Sequence, residues 1–127
     1  MPERCDHCGG AVTSEVGQGV VGDRLSWSVW TRCGSCGDAE QECGWDSMPE
    51  ALRDELIGEV GLVRLHAEGP RKRLLAVFRQ DGATIEEAVA ACRALGNEGL
   101  VGTPAEMELL GLRLRAAGAT VETAGGA

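Results

Sequence analysis

Two short segments decide the fold of the first part of the chain: Cys5-Asp6-His7-Cys8-Gly9 and Cys33-Gly34-Ser35-Cys36-Gly37. Each contains two cysteines separated by two residues, a spacing at which both sulfurs can hold one ion from a tight turn. Glycine after the second cysteine accepts the positive φ of that turn. Two such turns complete a tetrahedron without an open position, which is typical of a structural zinc site. The sequence therefore predicts one structural Zn²⁺, bound by Cys5, Cys8, Cys33 and Cys36.

Residues 5–46 resemble the zinc-ribbon family in all four of these ligands, with a gap of 24 residues between the pairs. A redox-active cysteine pair and an iron site of the same geometry are the alternatives. His7 lies inside the first pair and is interpreted as a turn residue rather than a ligand. Cys43 and Cys92 have no partner at ligand spacing, and each is interpreted as a small buried hydrophobe or an idle thiol.

The ribbon is predicted to occupy residues 1–46 and to be built from short strands. Apolar and polar side chains alternate over 25–32, the period of a strand. Weaker strand patterns cover 12–16 and 39–43. Glycines at 17, 19 and 22, followed by Asp23, predict a turn region between the first two strands.

The pattern becomes helical after the ribbon. Ser47-Met48-Pro49-Glu50 is typical of a capping box, which predicts a linker helix within residues 47–60. Residues 61–127 then alternate in the order β-α-α-β-α-β, with further capping boxes starting at Thr84 and Thr103. The predicted fold class is α+β: a small β zinc ribbon followed by three helices on a three-stranded sheet.

Residues 62–123 resemble the carboxy-terminal domain of the bacterial ribosomal stalk protein, which recruits translation factors. The family's docking helix opens with a lysine-bearing motif, and Glu86 and Val89 stand where its lysines are expected. The resemblance therefore implies the compact α/β fold and leaves an adaptor role as an alternative. The segments that carry it are Leu62–Ala67 with Gly69, Phe78-Arg79, Gly82–Ala88, Leu114–Gly118 and Ala119–Thr123.

Charge is distributed unevenly along the chain. The net charge is −8, and residues 1–60 hold four basic and twelve acidic side chains, whereas the remainder is balanced. Four thiolates around one Zn²⁺ would add about −2 to the first part. A nucleic-acid binder needs a basic surface to displace counterions from phosphates, so this charge disfavours DNA and RNA. It favours a basic protein partner.

Candidate partner-binding residues occur in both parts. Trp27 and Trp30 fall on opposite faces of one strand, so one of them is expected to meet the second domain or a partner. Leu109 and Leu112 lie off the apolar stripe of the last helix. They are interpreted either as packing against the ribbon or linker helix or as a partner-binding patch.

No catalytic set is recognisable, and we expect a non-enzymatic protein. His66 alternates with Arg64 in a strand and is predicted to face solvent. The basic run Arg71-Lys72-Arg73 is interpreted as the solvated start of a helix, with a phosphate contact as the alternative. No apolar run is long enough to span a membrane, and the polar start predicts a cytoplasmic location.

These patterns together predict a zinc-containing protein-binding module. Its most concrete form is an immunity-type protein that binds and neutralises a basic toxin encoded beside it. The alternatives are an adaptor acting on translation factors or a protease, and a nucleic-acid-binding zinc ribbon.

Overall fold

The computed structural model describes residues 4–5 and 8–125. Its internal contacts divide the chain into two compact units, Met1–Glu59 and Val60–Ala127. Within the described residues the fold is α+β, with two three-stranded antiparallel sheets and four helices, which confirms the predicted class. The two units are described separately below.

The first unit is built on an antiparallel sheet of order β1-β2-β3, formed by Val12–Val21, Arg24–Cys33 and Ala39–Trp45. The predicted turn region from Gly17 onward is wrong, because β1 continues to Val21 and only Gly22-Asp23 form the turn. The ten residues of β1 pair one to one with those of β2. The peptide groups of this segment that face β2 therefore find partners across the hairpin, which outweighs the poor strand propensity of glycine.

Helix α1, Glu50–Val60, follows β3. Ser47 does not cap it, contrary to the sequence prediction, because Pro49 disfavours helical geometry at the residue before it and the helix starts at Glu50. α1 belongs to the first unit rather than forming a free linker. It covers one face of the sheet through a buried apolar cluster whose members are Val16, Val29, Met48, Leu52 and Leu56.

Trp27 packs against this cluster from the same face of the sheet and is half-buried. Gly44 lies directly opposite it on β3. A Cβ atom at Gly44 would lie 2.6 Å from Cζ2 of Trp27, so the indole occupies the space that any other residue would fill. The indole N–H is buried and has no hydrogen-bond partner among the described residues. The indole ring of Trp27 is therefore held in place by packing, without a hydrogen bond to the described residues.

The second unit has the predicted order β-α-α-β-α-β. The elements are β4 (Val63–Glu68), α2 (Arg71–Gln80), α3 (Ile85–Gly96), β5 (Leu100–Gly102), α4 (Pro104–Ala116) and β6 (Thr120–Gly125). The sheet has the order β5-β4-β6, and the helices pack through a core in which Leu65, Leu95 and Leu114 are almost fully buried. The predicted capping boxes at Thr84 and Thr103 are both present.

Candidate metal centre

The four predicted ligands lie together at one end of the first sheet. All four Sγ atoms lie within 4.8 Å of one another. Sγ of Cys5 is 3.7 Å from that of Cys36, and Sγ of Cys8 is 3.4 Å from that of Cys33. A tetrahedral ion with bonds of about 2.3 Å to sulfur needs sulfurs about 3.8 Å apart. The sulfur positions therefore fit a single tetrahedral metal ion, which confirms that these cysteines form one candidate site.

Two similar cysteine turns present these ligands. The N–H of Gly9 donates to the carbonyl of Cys5 at 2.8 Å, and the N–H of Gly37 donates to the carbonyl of Cys33 at 3.0 Å. The two glycines have φ values of +74° and +75°. A side chain at either position would be strained in this left-handed region, so glycine after each cysteine pair is a requirement of the turn. The sequence predicted this role for both glycines.

Backbone donors and neighbouring sulfurs set the acidity of the second pair. The N–H groups of Cys36 and Ser35 donate to Sγ of Cys33 and lower its pKa to about 6. The N–H of Asp38 lowers the pKa of Cys36, but burial and hydrogen bonds with the other three sulfurs outweigh it and raise that pKa to about 12. Four adjacent thiolates repel one another without a cation. The cluster therefore shares protons unless a metal ion replaces them.

The centre is half enclosed by the protein. Cys5 and Cys33 are buried, with 8% and 2% of their surface exposed, whereas Cys8 and Cys36 are exposed. Four cysteines satisfy a tetrahedral ion completely and leave no position for a substrate or water. This arrangement suits a structural role, because Cys33 is the last residue of β2 and its turn continues toward β3.

The tryptophans differ in how they are placed. Trp27 packs on the core of its own unit, whereas Trp30 is 48% exposed on the opposite face of β2. Trp45, which the sequence analysis did not single out, is 50% exposed at the end of β3. Its cross-strand neighbour is Ser26, so Trp45 and Trp30 share the face that α1 leaves open. The sequence signal for this placement was the alternation of side chains along β3, which puts residues 41, 43 and 45 on one face.

Carboxylates also line β3, but they project from the face opposite the one that carries these rings, because Glu42 is the cross-strand neighbour of the buried Val29. Asp38, Glu40 and Glu42 are exposed, and β3 is an edge strand of the sheet. We call Trp30, Trp45 and these three carboxylates, which flank the edge strand from its two faces, the β3 surface. The guanidinium of Arg24 lies 4.7 Å from the ring centroid of Trp45 and pairs with Asp46 at 2.9 Å.

The two leucine candidates on α4 also differ. Leu109 retains only 7% exposure, so it is not part of an exposed patch. Leu112 is 47% exposed and remains available at the surface.

The burial and contacts of most of the other residues singled out in the sequence can also be described. His7 lies outside the described residues. His66 is half-buried rather than fully solvent-facing, and its Nε2 lies 3.1 Å from the carbonyl oxygen of Asn97. Cys43 is exposed, so it is not a buried hydrophobe, and Cys92 is half-buried. The run Arg71–Arg73 is exposed, as predicted.

No family model, curated protein or solved structure matches the chain. The second unit has the element order that the stalk-protein resemblance implied, but the comparisons do not support that family. None of the described helices is long and apolar enough to cross a bilayer.

Proposed function

We propose that this chain is a non-enzymatic, zinc-containing module that binds a basic protein partner. Four thiolates in a tetrahedron are the ligand set of structural zinc and of sulfur-bound iron. Two separate Cys-x₂-Cys turns suit either metal; we propose zinc, and the metal analysis described below distinguishes it from iron. In this proposal the ion stabilises the ribbon, and the ribbon's own surface makes the contact.

The β3 surface is the observation on which the proposal rests. It combines two half-exposed tryptophans on the open face of the sheet with carboxylates on the other face of the edge strand β3. Neither Glu40 nor Glu42 makes an ion pair or side-chain hydrogen bond within the described residues. Tryptophan is enriched among the residues that dominate binding energy at protein interfaces. Unpaired carboxylates along the same edge strand favour a partner that reaches around the edge and carries lysine or arginine opposite them.

The charge of the whole first part acts in the same direction. Residues 1–60 carry the entire net charge of −8, and a zinc-bound four-thiolate site would add about −2. A field of this sign accelerates the encounter with a basic protein and repels nucleic acid. The most concrete partner is a basic toxin encoded beside this chain, which the chain would neutralise by binding.

The proposal is tested by co-expressing the chain with the product of each adjacent gene. We expect one basic neighbour to inhibit growth alone, to be tolerated with this chain, and to form a complex that weakens as salt increases. Metal analysis of the purified chain should give about one zinc per chain and no iron. Protection from no neighbour would refute the toxin assignment, and binding to elongation factors or DNA instead would replace it with one of the alternatives.

Charge-reversal variants test whether the partner contacts the β3 surface. The double variant Glu40→Lys/Glu42→Lys should lose binding by at least about tenfold, because like charges then face the partner. The matched control is Glu98→Lys/Glu108→Lys, which makes the same charge change at exposed sites in the second unit. Equal losses in both double variants would show that only net charge matters and would overturn the role of the β3 surface.

A further inference from the structure

Strand β4 is paired along only part of one of its edges. β6 pairs with all of Val63–Glu68, whereas β5 pairs only with residues 63–65. β5 begins at Leu100, opposite Leu65, so no described strand lies beside residues 66–68 on that side. The peptide groups that β4 directs there lack the strand partner that sheet N–H and C=O groups normally have.

Two cavities meet at this uncovered edge, and Ala67, Glu68 and Gly96 line both of them. The first has a volume of about 440 Å³ and includes His66 and Glu122. These two residues are cross-strand neighbours, so their side chains share one face of the sheet. By the alternation of the strand, this is the face opposite the buried Leu65 and Ala67.

The second cavity lies on the helix side of the same edge and has a volume of about 320 Å³. Its apolar lining comes from Leu74 on α2 and from Val89 and Cys92 on α3. A strand added beside residues 66–68 would direct alternate side chains into the two cavities, because successive side chains point to opposite faces of a sheet. The cavities are therefore arranged as side-chain pockets for an extended peptide.

The helix-side cavity carries two cationic groups, Arg71 and Arg93, against one carboxylate, Glu68. Neither guanidinium makes a hydrogen bond or ion pair within the described residues. Burial raises the pKa of the Cys92 thiol, while the positive charge of Arg71 lowers it. The charge of Arg71 therefore acts on a group that lines the cavity. A guanidinium is well suited to a carboxylate, which it can bind through two parallel hydrogen bonds.

We propose that the edge of β4 binds an extended peptide ending in a free carboxylate, which adds as a short parallel strand beside residues 66–68. The direction follows from the chain: Arg71 lies just beyond the end of β4, so a C-terminal carboxylate reaches it only if the peptide runs in the same direction. Main-chain hydrogen bonds supply affinity and the two cavities supply selectivity. Three residues of uncovered strand edge span about 10 Å, so only the last three or four peptide residues contact the site. This site lies in the second unit and does not depend on the β3 surface.

The test uses the full zinc-loaded chain and a synthetic pool of hexapeptides whose last three positions are varied and whose C-terminus is free. The best-retained sequence is then titrated by NMR in three forms: the acid, its C-terminal amide, and a version N-methylated within the last three residues. We expect the acid to bind at least about tenfold more tightly than the amide, because a charge-assisted hydrogen bond is lost. We also expect the N-methylated peptide to bind weakly, and the amide signals of 66–69 and 71 to shift.

Three variants distinguish binding in the cavity from a general effect of positive charge. Arg71→Gln and Arg93→Gln should each weaken the acid several-fold and leave the amide unchanged. Arg115→Gln removes an exposed guanidinium on α4, outside the cavity, and should leave both unchanged. The proposal is overturned if the pool yields no retained sequence, if acid and amide bind equally, if Arg115→Gln weakens binding as much as Arg93→Gln, or if the shifts fall on β1–β3.

Discussion

The contact between Trp27 and Gly44 gives a prediction whose size can be worked from the structure. In Gly44→Ala the new Cβ atom would lie 2.6 Å from Cζ2 of Trp27 and 2.7 Å from Cε2. Both atoms belong to a rigid ring that is wedged against the core, so the ring or the strand has to move. Overpacking of this kind costs about 1–3 kcal/mol. Loss of glycine's freedom in the unfolded chain offsets about 0.4–1 kcal/mol, because φ at this position is not positive. We expect a net destabilisation of about 1–2 kcal/mol.

Gly19→Ala is the matched control for this experiment. Gly19 lies on β1 of the same sheet, its φ is not positive, and a Cβ atom there would meet nothing within 4 Å. We expect it to be neutral or slightly stabilising. All three tryptophans belong to the first unit, so urea unfolding of the zinc-loaded chain followed by tryptophan fluorescence reports that unit alone.

A double-mutant cycle identifies the contact itself. Trp27→Leu removes the ring that the new methyl group would meet, so Gly44→Ala should cost much less in that background, with a coupling of about 1 kcal/mol. If Gly44→Ala is as stable as Gly19→Ala, or costs the same with and without the ring, the proposed close packing is refuted.

Three other predictions concern the metal centre and the helix caps. Cys33→Ser should reduce zinc from about one per chain to none, as measured by elemental analysis. It should also abolish the cooperative unfolding transition seen by tryptophan fluorescence, because metal binding and folding are coupled. A retained transition would contradict this. Thr103→Ala should destabilise the second unit by about 1–2 kcal/mol, measured by circular dichroism, because it removes the oxygen that accepts from the Glu106 N–H, whereas Thr103→Ser should cost less. The pKa of Glu87 is lowered by hydrogen bonds from the backbone and side chain of Thr84, so its stabilising effect is present above the ordinary carboxyl pKa and is lost as pH falls through the lowered value. An NMR titration should show this pKa rising only part of the way toward 4.5 in Thr84→Ala, because alanine keeps the backbone N–H that contributes most, and an unchanged value would contradict the contribution of the Thr84 hydroxyl.

The sequence predicts most strongly where a local rule has no competitor. The cysteine spacing, the glycines after each pair and the boxes at Thr84 and Thr103 are local signals, and each has the expected geometry. The capping prediction at Ser47 was wrong because Pro49 disfavours helical geometry at the residue before it, which opposes the capping pattern. The extension of β1 through its glycines depended on pairing with β2, which no local propensity reports.

Exposure was harder to predict than element type. Trp27 and Trp30 were assigned to opposite faces, but the side of the sheet that α1 covers follows from tertiary packing. The same holds for Leu109, whose burial does not follow from the stripe on its own helix. The uncovered edge of β4 was beyond sequence analysis, because it depends on β5 being only three residues long.

The metal centre has a consequence for strand register. β1 contains Gly17 and Gly19, which give a strand little side-chain packing to resist sliding along its neighbour. The Gly22-Asp23 turn fixes one end of the β1–β2 hairpin, and a metal ion held by the four cysteines would fix the other, because Cys33 is paired with Val12 and is also a candidate ligand. A slip of one residue would turn Trp30 inward and Trp27 outward. A metal ion bound at the four cysteines would therefore hold the register in which Trp30, and not Trp27, is exposed to solvent.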